Sequence, residues 1–425
     1  MAVAPYHVNR APLAPASISP LTWFLRLLTG VGALIGLWLL QSVCEAYLNA
    51  YVVQILTLAL INVALAVSLN LINGIAGQFS LGHAGFMAIG AFVSAYFARD
   101  IGPLLYPLSP FTNSVTDLIA FTISLFLAAL AAGLAGLLVG LPSLRLRGDY
   151  LAIVTLGFGQ IITSLLRTIK FKGGNTFIDG VPPNTNIFWA GLCALLCILV
   201  VRNVCHSGVG RAMRAVREDE VAAEAAGVDT TRAKVIAFVI SAMWGGVAGG
   251  LFAGVTQVAH PDDYTFVRSV EIVVMVVLGG LGSITGAALS AMLLTGLQEA
   301  LRAPLAAFIA ALVLIGIAAL LSLPRYRTRD GARSSAWIVA WLRWPVISLV
   351  AVVGMWVLAR STLVARADYL RYILYSLILI VMMLLRPQGL LGRSEFSFAA
   401  LRRRRAQDEP TLPAQTADQG ISGTL

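Results

Sequence analysis

Charged side chains are scarce in this sequence. Asp, Glu, Lys and Arg together make up 12% of the 425 residues, whereas hydrophobic residues make up 58%. A soluble domain usually has about a quarter of its residues charged. Because so few charges cannot cover a water-exposed surface over this length, the lipid bilayer must be the main solvent. The composition therefore predicts an integral membrane protein.

Lysine is especially rare, and its absence from one motif excludes one energy source. The lysines are Lys170, Lys172 and Lys234, and none of them follows a glycine. A Walker A loop needs Gly-Lys-Ser/Thr to hold nucleotide phosphates. We therefore expect no ATP site and no cofactor in this chain. ATP-driven transport would need an ATPase on another polypeptide.

Patterns typical of enzymes and metal sites are missing as well. The four histidines form no His-Glu-x-x-His pair, and the cysteines lie in or beside apolar runs without a Cys-x-x-Cys pair. We interpret these cysteines as small apolar residues of membrane spans. We expect neither catalysis nor a bound metal. The cysteines are Cys44, Cys193, Cys197 and Cys205.

Carboxylates are also missing from the middle of the apolar runs. Ion-coupled carriers usually place acidic residues there, whereas most of those here stand at the ends of the runs, as Glu45 and Asp100 do. Glu271 is the one that leaves a choice. It either pairs with Arg268 at the interface or reaches a cavity. The pattern disfavours an ion-coupled carrier.

What the sequence does contain is a series of apolar runs near the ~20 residues that a helix needs to cross a bilayer. The backbone of each run must satisfy its own hydrogen bonds, so each is a helix. We predict an all-α polytopic membrane protein with about 10–12 transmembrane helices. Because residues 268–301 are too long for one span and contain glycines in their middle, they are divided into two. The predicted spans are 27–46, 51–72, 83–98, 117–140, 150–168, 187–205, 233–256, 270–281, 284–301, 304–323, 337–359 and 369–386.

Arginine clusters between the spans indicate the topology and explain the net charge of +10. Cytoplasmic loops of membrane proteins are enriched in Lys and Arg. Parity then places residues 145–147, 211–217, 325–333 and the C-terminal tail in the cytoplasm. We interpret the basic charge in this way, with lipid as the surrounding medium, and expect no nucleic-acid partner.

The longest polar stretch between predicted spans is 211–234. Its regular pattern predicts a short helix at the cytoplasmic surface, which either anchors to lipid or binds a protein. Glu218 and Asp219 stand among its arginines, and it has no aromatic residue. Anionic headgroups would repel these carboxylates. The mixed charge therefore favours a protein partner.

Two glycine clusters are the other signal, one at 73–90 and one at 279–283. Glycine-interrupted segments in two halves of a transporter are typical of broken helices that line a central path. Small residues also permit close helix packing, and both interpretations stay open. The candidate path residues are Asn70, Gly77, Gln78, Gly82, His83, Gly279, Gly280 and Gly282.

Five ordered blocks of the sequence resemble the inner-membrane permeases of branched-chain amino acid ABC importers. The block R-L-R-G-D-Y-L-A at 145–152 resembles the M-type rather than the H-type permease of the pair that such importers use. The blocks are 69–84, 145–159, 210–227, 277–283 and 386–392.

The resemblance implies an ABC importer permease fold and a set of partners. These are a second permease subunit, two cytoplasmic ATPases and a periplasmic substrate-binding protein, assembled at a bacterial inner membrane. It also implies that 211–227 is the segment that couples to an ATPase, with Glu220 and Glu224 as alternative contact carboxylates. The coupling residues are Arg211, Arg217, Glu218, Asp219, Glu220, Glu224 and Gly227.

The predicted organisation follows from the spans and the resemblance. Because the family pattern passes quickly from the glycine block to the last span, two further apolar runs at 302–366 read as an insertion. The divisions are a disordered cytoplasmic segment 1–26, a permease core 27–301, the insertion 302–366, a last span with its end motif 367–392, and a disordered tail 393–425.

The expected function is therefore that of a transport subunit for branched-chain amino acids rather than an enzyme. Urea or short amides are an alternative cargo, since importers for them share much of this pattern. A more distant alternative is a secondary carrier or channel that works without ATP.

Overall fold

The computed structural model describes residues 20–103, 113–143, 149–171, 174–300 and 389. These ranges fold into helices, two of which continue as π-helical segments: Leu71–Ile75 after α2 and Phe97–Ile101 after α3. The α-helices are α1 (Pro20–Tyr47), α2 (Ala50–Asn70), α3 (His83–Tyr96), α4 (Asn113–Ser143), α5 (Asp149–Thr168), α6 (Ile187–His206), α7 (Gly208–Glu218), α8 (Glu220–Ala225), α9 (Thr230–Thr256), α10 (Phe266–Gly279) and α11 (Ile284–Ala300).

Seven helices of the described ranges are long and apolar enough to cross a membrane. They correspond to the predicted spans from 27–46 to 233–256, and α10 and α11 confirm that 268–301 is two short helices. The chain is an all-α polytopic membrane protein. The spans predicted at 304–323, 337–359 and 369–386 lie outside the described residues.

Helices α2 and α9 occupy the centre of the bundle. Every residue of α2 from 61 onward is buried, and α2 packs against α6, α9, α10 and α11. Helix α1 differs, since the side chains of Val31 and Trp38 are 52% and 61% exposed. In a bilayer such an apolar surface faces lipid. The centre of the bundle is thus closed by protein, while α1 lies at the edge.

Helix α9 approaches α3 and α4 closely because small residues line its contacts with both helices. A methyl group on Gly249 would overlap the carbonyl oxygen of Met87 in α3, and one on Gly90 would overlap the backbone of Gly246. Without a hydrophobic driving force in lipid, close van der Waals packing of this kind holds helices together. We call this region the small-residue contact.

The loops after α5 and α9 meet at one end of the bundle. Ile178 and Ala259 exchange two backbone hydrogen bonds of 3.1 and 2.8 Å. Arg167, near the end of α5, forms an ion pair of 2.6 Å with Asp262. Two predicted spans, 187–205 and 233–256, separate the two loops, so parity puts both loops on the same side of the membrane. This contact agrees with that prediction.

The polar stretch 211–234 contains two helices where the sequence predicted one, and Lys234 belongs to α9. Asp219 separates α7 from α8 with an extended backbone (φ −157°, ψ 114°). Its side chain accepts hydrogen bonds from the amides of Val221 and Ala222 at 2.9 and 3.0 Å. An Asp that caps the following turn in this way competes with helix continuation. The break at Asp219 is therefore a capping effect.

Candidate functional site

Helix α7 is fastened to the end of α6 by two of its arginines. Arg214 donates a hydrogen bond of 2.7 Å to the carbonyl of Cys205, and Arg211 donates one of 3.5 Å to that of His206. The last carbonyls of a helix lack a partner along the chain, and they carry the negative end of its dipole. Both arginines are exposed. Their hydrogen bonds therefore link α7 to the end of α6, the helix that directly precedes it.

Helix α8 is held by one ion pair. Glu220 lies 2.7 Å from the ammonium group of Lys234 in α9, and their side chains are 21% and 3% exposed. The nearby carboxylates of Glu218, Asp219 and Glu224 are exposed. Of the two alternatives that the sequence left, Glu220 thus faces α9 and Glu224 faces outward.

Gly227 ends α8 in a left-handed conformation, with φ of +82°. Its amide donates to the carbonyl of Glu224 at 2.9 Å, and the amide of Val228 donates to that of Ala223 at 3.0 Å. This pair of bonds is a Schellman motif, which needs a left-handed residue and so favours glycine. The residue separates the surface segment α7–α8 from the start of α9.

The third arginine of α7 turns inward. The guanidinium of Arg217 donates a short hydrogen bond to the carbonyl of Gly74, in the π-helical segment that ends α2. A Cβ on Gly77 would lie 2.7 Å from Cγ of Arg217, and one on Gly282 would lie 2.9 Å from its Nη1 atom. Arg217 therefore lies directly between the two glycine clusters.

Asn70 joins the two clusters to each other. Its Oδ1 atom accepts from the amide of Gly282 at 2.9 Å, and its Nδ2 atom donates to the carbonyl of Ser283 at 3.1 Å. Gly282, with φ of +92°, belongs to the turn between α10 and α11. We call the group Asn70, Gly74, Arg217, Gly282 and Ser283 the glycine junction.

The last sequence block also reaches this junction. A Cβ on Gly389 would lie 2.6 Å from the Cα atom of Gly280. Gly389 is buried and has φ of +79°. Three of the five blocks thus supply the junction residues, namely the first, third and fourth, and the last block packs against Gly280 beside them.

The remaining path candidates lie at different places in the bundle. Gly82 packs against the carbonyl of Thr155 in α5, and Gly279 packs against Gly286. His83 is buried, with its Nε2 atom 3.0 Å from the hydroxyl of Ser68. Gln78 is half-buried beside the junction. Only part of the predicted set therefore comes together: Asn70, Gly77, Gly280 and Gly282.

A second polar cluster joins α2, α10 and α11. Arg268 donates to Glu271 at 2.9 Å, which confirms the pairing that the sequence had offered as one alternative. The guanidinium also donates to Asn62 at 2.7 Å, and Asn62 donates to Thr295 at 2.8 Å. This extension to Asn62 and Thr295 was not predicted from the sequence. Its signal was available, because Asn62 is a polar residue within an apolar span.

Comparison with known proteins decides the family. A family model described as "Branched-chain amino acid transport system / permease component" matches residues 51–323, more than half of the chain. The chain belongs to this permease family. The matched residues include α2 to α11, and so the α7–α8 segment and all five residues of the glycine junction.

Individual relatives agree with the M-type resemblance. The permease protein LivM of a high-affinity branched-chain amino acid transport system from Salmonella typhimurium is 35% identical over 285 residues, 59% of this chain and 63% of the relative. A probable LivM from Methanocaldococcus jannaschii is 28% identical over 258 residues, 53% of this chain and 73% of the relative. LivH from Escherichia coli matches a shorter part, with 38% identity over 96 residues, 23% of this chain and 30% of the relative. The match to the Salmonella LivM spans less than two thirds of that relative's length. No solved structure matches the chain.

Proposed function

We propose that this permease is the M-type membrane subunit of an ATP-binding cassette importer for branched-chain amino acids. It works with a second permease subunit, two cytoplasmic ATPases that bind ATP, and a periplasmic binding protein, in a bacterial inner membrane. The observation that carries the proposal is the position of the α7–α8 segment. Its carboxylates are exposed at the end of the bundle, and its Arg217 binds Gly74 of the glycine junction.

The transport subunit itself performs no covalent chemistry in this proposal. ATP binding draws the two ATPases together, and their movement changes the balance between inward-open and outward-open states of the permease. A zwitterionic cargo can be met by backbone dipoles where helices are broken. The turn between α10 and α11 is such a break.

The surroundings of the two candidate carboxylates support Glu224 as the contact with the ATPase. Glu220 is engaged with Lys234, whereas Glu224 is exposed on the same short helix. We expect Glu224→Arg to reduce the amount of ATPase that co-purifies with the permease. Glu45→Arg, at an exposed position of α1, serves as the control and should leave it unchanged. Equal ATPase recovery from both variants would remove Glu224 from the interface.

Uptake measurements test the substrate. Deleting the gene in its host should abolish uptake of labelled leucine, isoleucine and valine and leave uptake of labelled urea unchanged. Loss of urea uptake with unchanged leucine uptake would overturn the amino-acid assignment in favour of amides. A plasmid copy of the intact gene is the control that restores uptake.

Purification tests the energy source. The proposal requires an ATPase to co-purify with the permease, and uptake into proteoliposomes to stop when ATP is withheld. Uptake by the purified chain alone, driven by an ion gradient, would establish a secondary carrier instead.

A further inference from the structure

We propose that Arg217 is the positioning residue that transmits movement of the α7–α8 segment to the glycine junction, and that it does not face the ATPase. The inference rests on the proposed importer function and deepens it. It assigns the step between the surface segment and the broken helices to one side chain.

Three arginines of α7 follow one another at intervals of three residues but bind different partners. Arg211 and Arg214 bind carbonyls at the end of α6, the helix that directly precedes α7. Arg217 instead binds the carbonyl of Gly74, 143 residues away in the chain. Of these three arginines, Arg217 is the one that binds another part of the bundle within the described residues, and it is therefore the one placed to carry movement across it.

The bond at Gly74 is suited to carry force. Gly74 lies in the last turn of the α2 unit, where carbonyls have no following amide along the helix. A guanidinium donor gives a charge-assisted bond, roughly twice as strong as a neutral one. Moving α7 away from the bundle would break this bond and leave a buried carbonyl without its donor. The alternative is that the end of α2 moves with α7.

The path of the Arg217 side chain is bordered by glycines. Side chains at Gly77 or Gly282 would enter the space that Cγ and Nη1 of Arg217 occupy, with separations of 2.7 and 2.9 Å. A Cβ on Gly74 would overlap Oδ1 of Asn70 and the amide of Gly282. The junction has therefore just enough room for one long cationic side chain. Gly77 from the first cluster and Gly282 from the second thus both leave space for Arg217.

Asn70 extends the effect to the second broken element. It binds both the amide of Gly282 and the carbonyl of Ser283, so the end of α2 and the turn between α10 and α11 are one hydrogen-bonded unit. Displacement of Arg217 therefore reaches both breaks at once. Through α10 and α11 it also reaches the Arg268 cluster, which joins these two helices to α2.

The test compares Arg217→Gln with Arg214→Gln in the complete importer reconstituted in proteoliposomes. Four quantities are measured: ATPase co-purification, basal ATP hydrolysis, hydrolysis stimulated by the binding protein, and leucine uptake. For Arg217→Gln we expect unchanged co-purification and basal hydrolysis. Stimulated hydrolysis and uptake should each fall about tenfold, as expected for the loss of one hydrogen bond to a charged group. Arg214→Gln, on the same helix, should keep both within about twofold of wild type.

The opposite results would overturn the inference. Loss of ATPase co-purification in Arg217→Gln would make Arg217 a docking residue, and unchanged stimulation would remove it from the mechanism. If Arg217→Gln does not fold, Arg217→Lys is the test variant, since it keeps the positive charge and loses the planar guanidinium with its several N–H donors. That variant should assemble normally with stimulation between the wild-type and glutamine levels, and wild-type stimulation would refute the role. The proposed function is tested separately, by leucine uptake of the wild-type importer, whereas the inference depends on the ratio of variant to wild type.

Discussion

The small-residue contact and the glycine junction are both rich in glycine, yet glycine serves a different purpose in each. At Gly249 and Gly90 the backbone is helical, and the missing Cβ lets the next helix come closer. At Gly282 the backbone has a positive φ, and a polar side chain from another helix fills the space that Cβ would take. At Gly249 and Gly90 the atoms that a Cβ would meet all belong to the backbone of the neighbouring helix. The glycine junction has hydrogen bonds from two side chains, Asn70 and Arg217.

The comparison separates stability from movement. A contact between closely packed backbones and methyl groups has no space for an added atom, because protein interiors are close-packed. Hydrogen bonds between side chains and the ends of helices can be exchanged for others. We therefore expect substitutions in the small-residue contact to lower the stability of the fold, and substitutions at the junction to leave a stable protein that transports poorly.

The largest effect is expected at Gly249. Gly249→Ala would place a methyl group on the carbonyl oxygen of Met87. Overpacking of this kind costs about 3 kcal/mol, and sometimes more. Gly157→Ala in α5 is the matched control, since its Cβ would meet nothing within 4 Å among the described residues. Thermal unfolding in detergent should show a clearly lower Tm for Gly249→Ala alone. Equal Tm values would mean that α3 and α9 are not closely packed.

The next effect is expected at Asn70, where the junction would lose its internal bridge. Asn70→Leu leaves the amide of Gly282 and the carbonyl of Ser283 without this partner, at about 1 kcal/mol for each group, because Gly282 is only half-buried and water can replace part of the interaction. Asn70→Asp keeps an acceptor for the amide and should lie between the leucine variant and wild type. We expect monodisperse protein in both cases and graded loss of leucine uptake. Loss of folding in Asn70→Asp would contradict the division between stability and movement.

The sequence predicted the helices well because the bilayer leaves little choice. Every apolar run has to satisfy its own backbone, so α6, predicted at 187–205, extends over Ile187–His206. The break at Asp219 was missed, because nothing distinguishes a capping Asp from an exposed one until the chain turns. The three arginines of α7 also look equivalent at their regular spacing. What separates them is a carbonyl at Gly74 that only the tertiary fold brings near.

The path candidates show the same limit. Gly82, Gly279 and Gly282 were named together as path candidates while close packing stayed open, because a packing glycine and a glycine with positive φ are identical in sequence. The fold places the first two against neighbouring backbone and the third in a turn. The importance of Lys234 was missed too, although a lone lysine at the start of an apolar run signals a buried charge that needs a partner.

A smaller effect is expected at the ion pair that holds α8. Glu220→Gln would leave the buried ammonium of Lys234 without a carboxylate. Because Glu220 is itself partly exposed, water can replace part of the interaction, and we expect a loss of about 1–3 kcal/mol. Lys234→Met should cost less, since it leaves a half-exposed carboxylate. The ranking of their Tm values in detergent is the measurement.

The double variant with Glu220→Gln and Lys234→Met checks the origin of that loss. If the pair acts as a unit, the double variant is more stable than Glu220→Gln alone. A sum of two independent losses would show that the two side chains do not stabilise each other.

The smallest effect on stability is expected at Gly227, which is the reverse of Gly249. Its φ is +82°, but a Cβ there would meet nothing within 4 Å in the part of the chain that the structure describes. Gly227→Val would therefore cost only the backbone strain of a left-handed β-branched residue, about 1–2 kcal/mol, and this cost is confined to the end of α8. Gly227→Asn is the matched control, because Asn tolerates this conformation. We expect normal membrane insertion and nearly normal Tm for both variants, with leucine uptake and substrate-stimulated ATP hydrolysis impaired only in Gly227→Val.

Unimpaired uptake in that variant would show that the end of α8 can shift without consequence. The surface segment would then act through α7 and Arg217 alone.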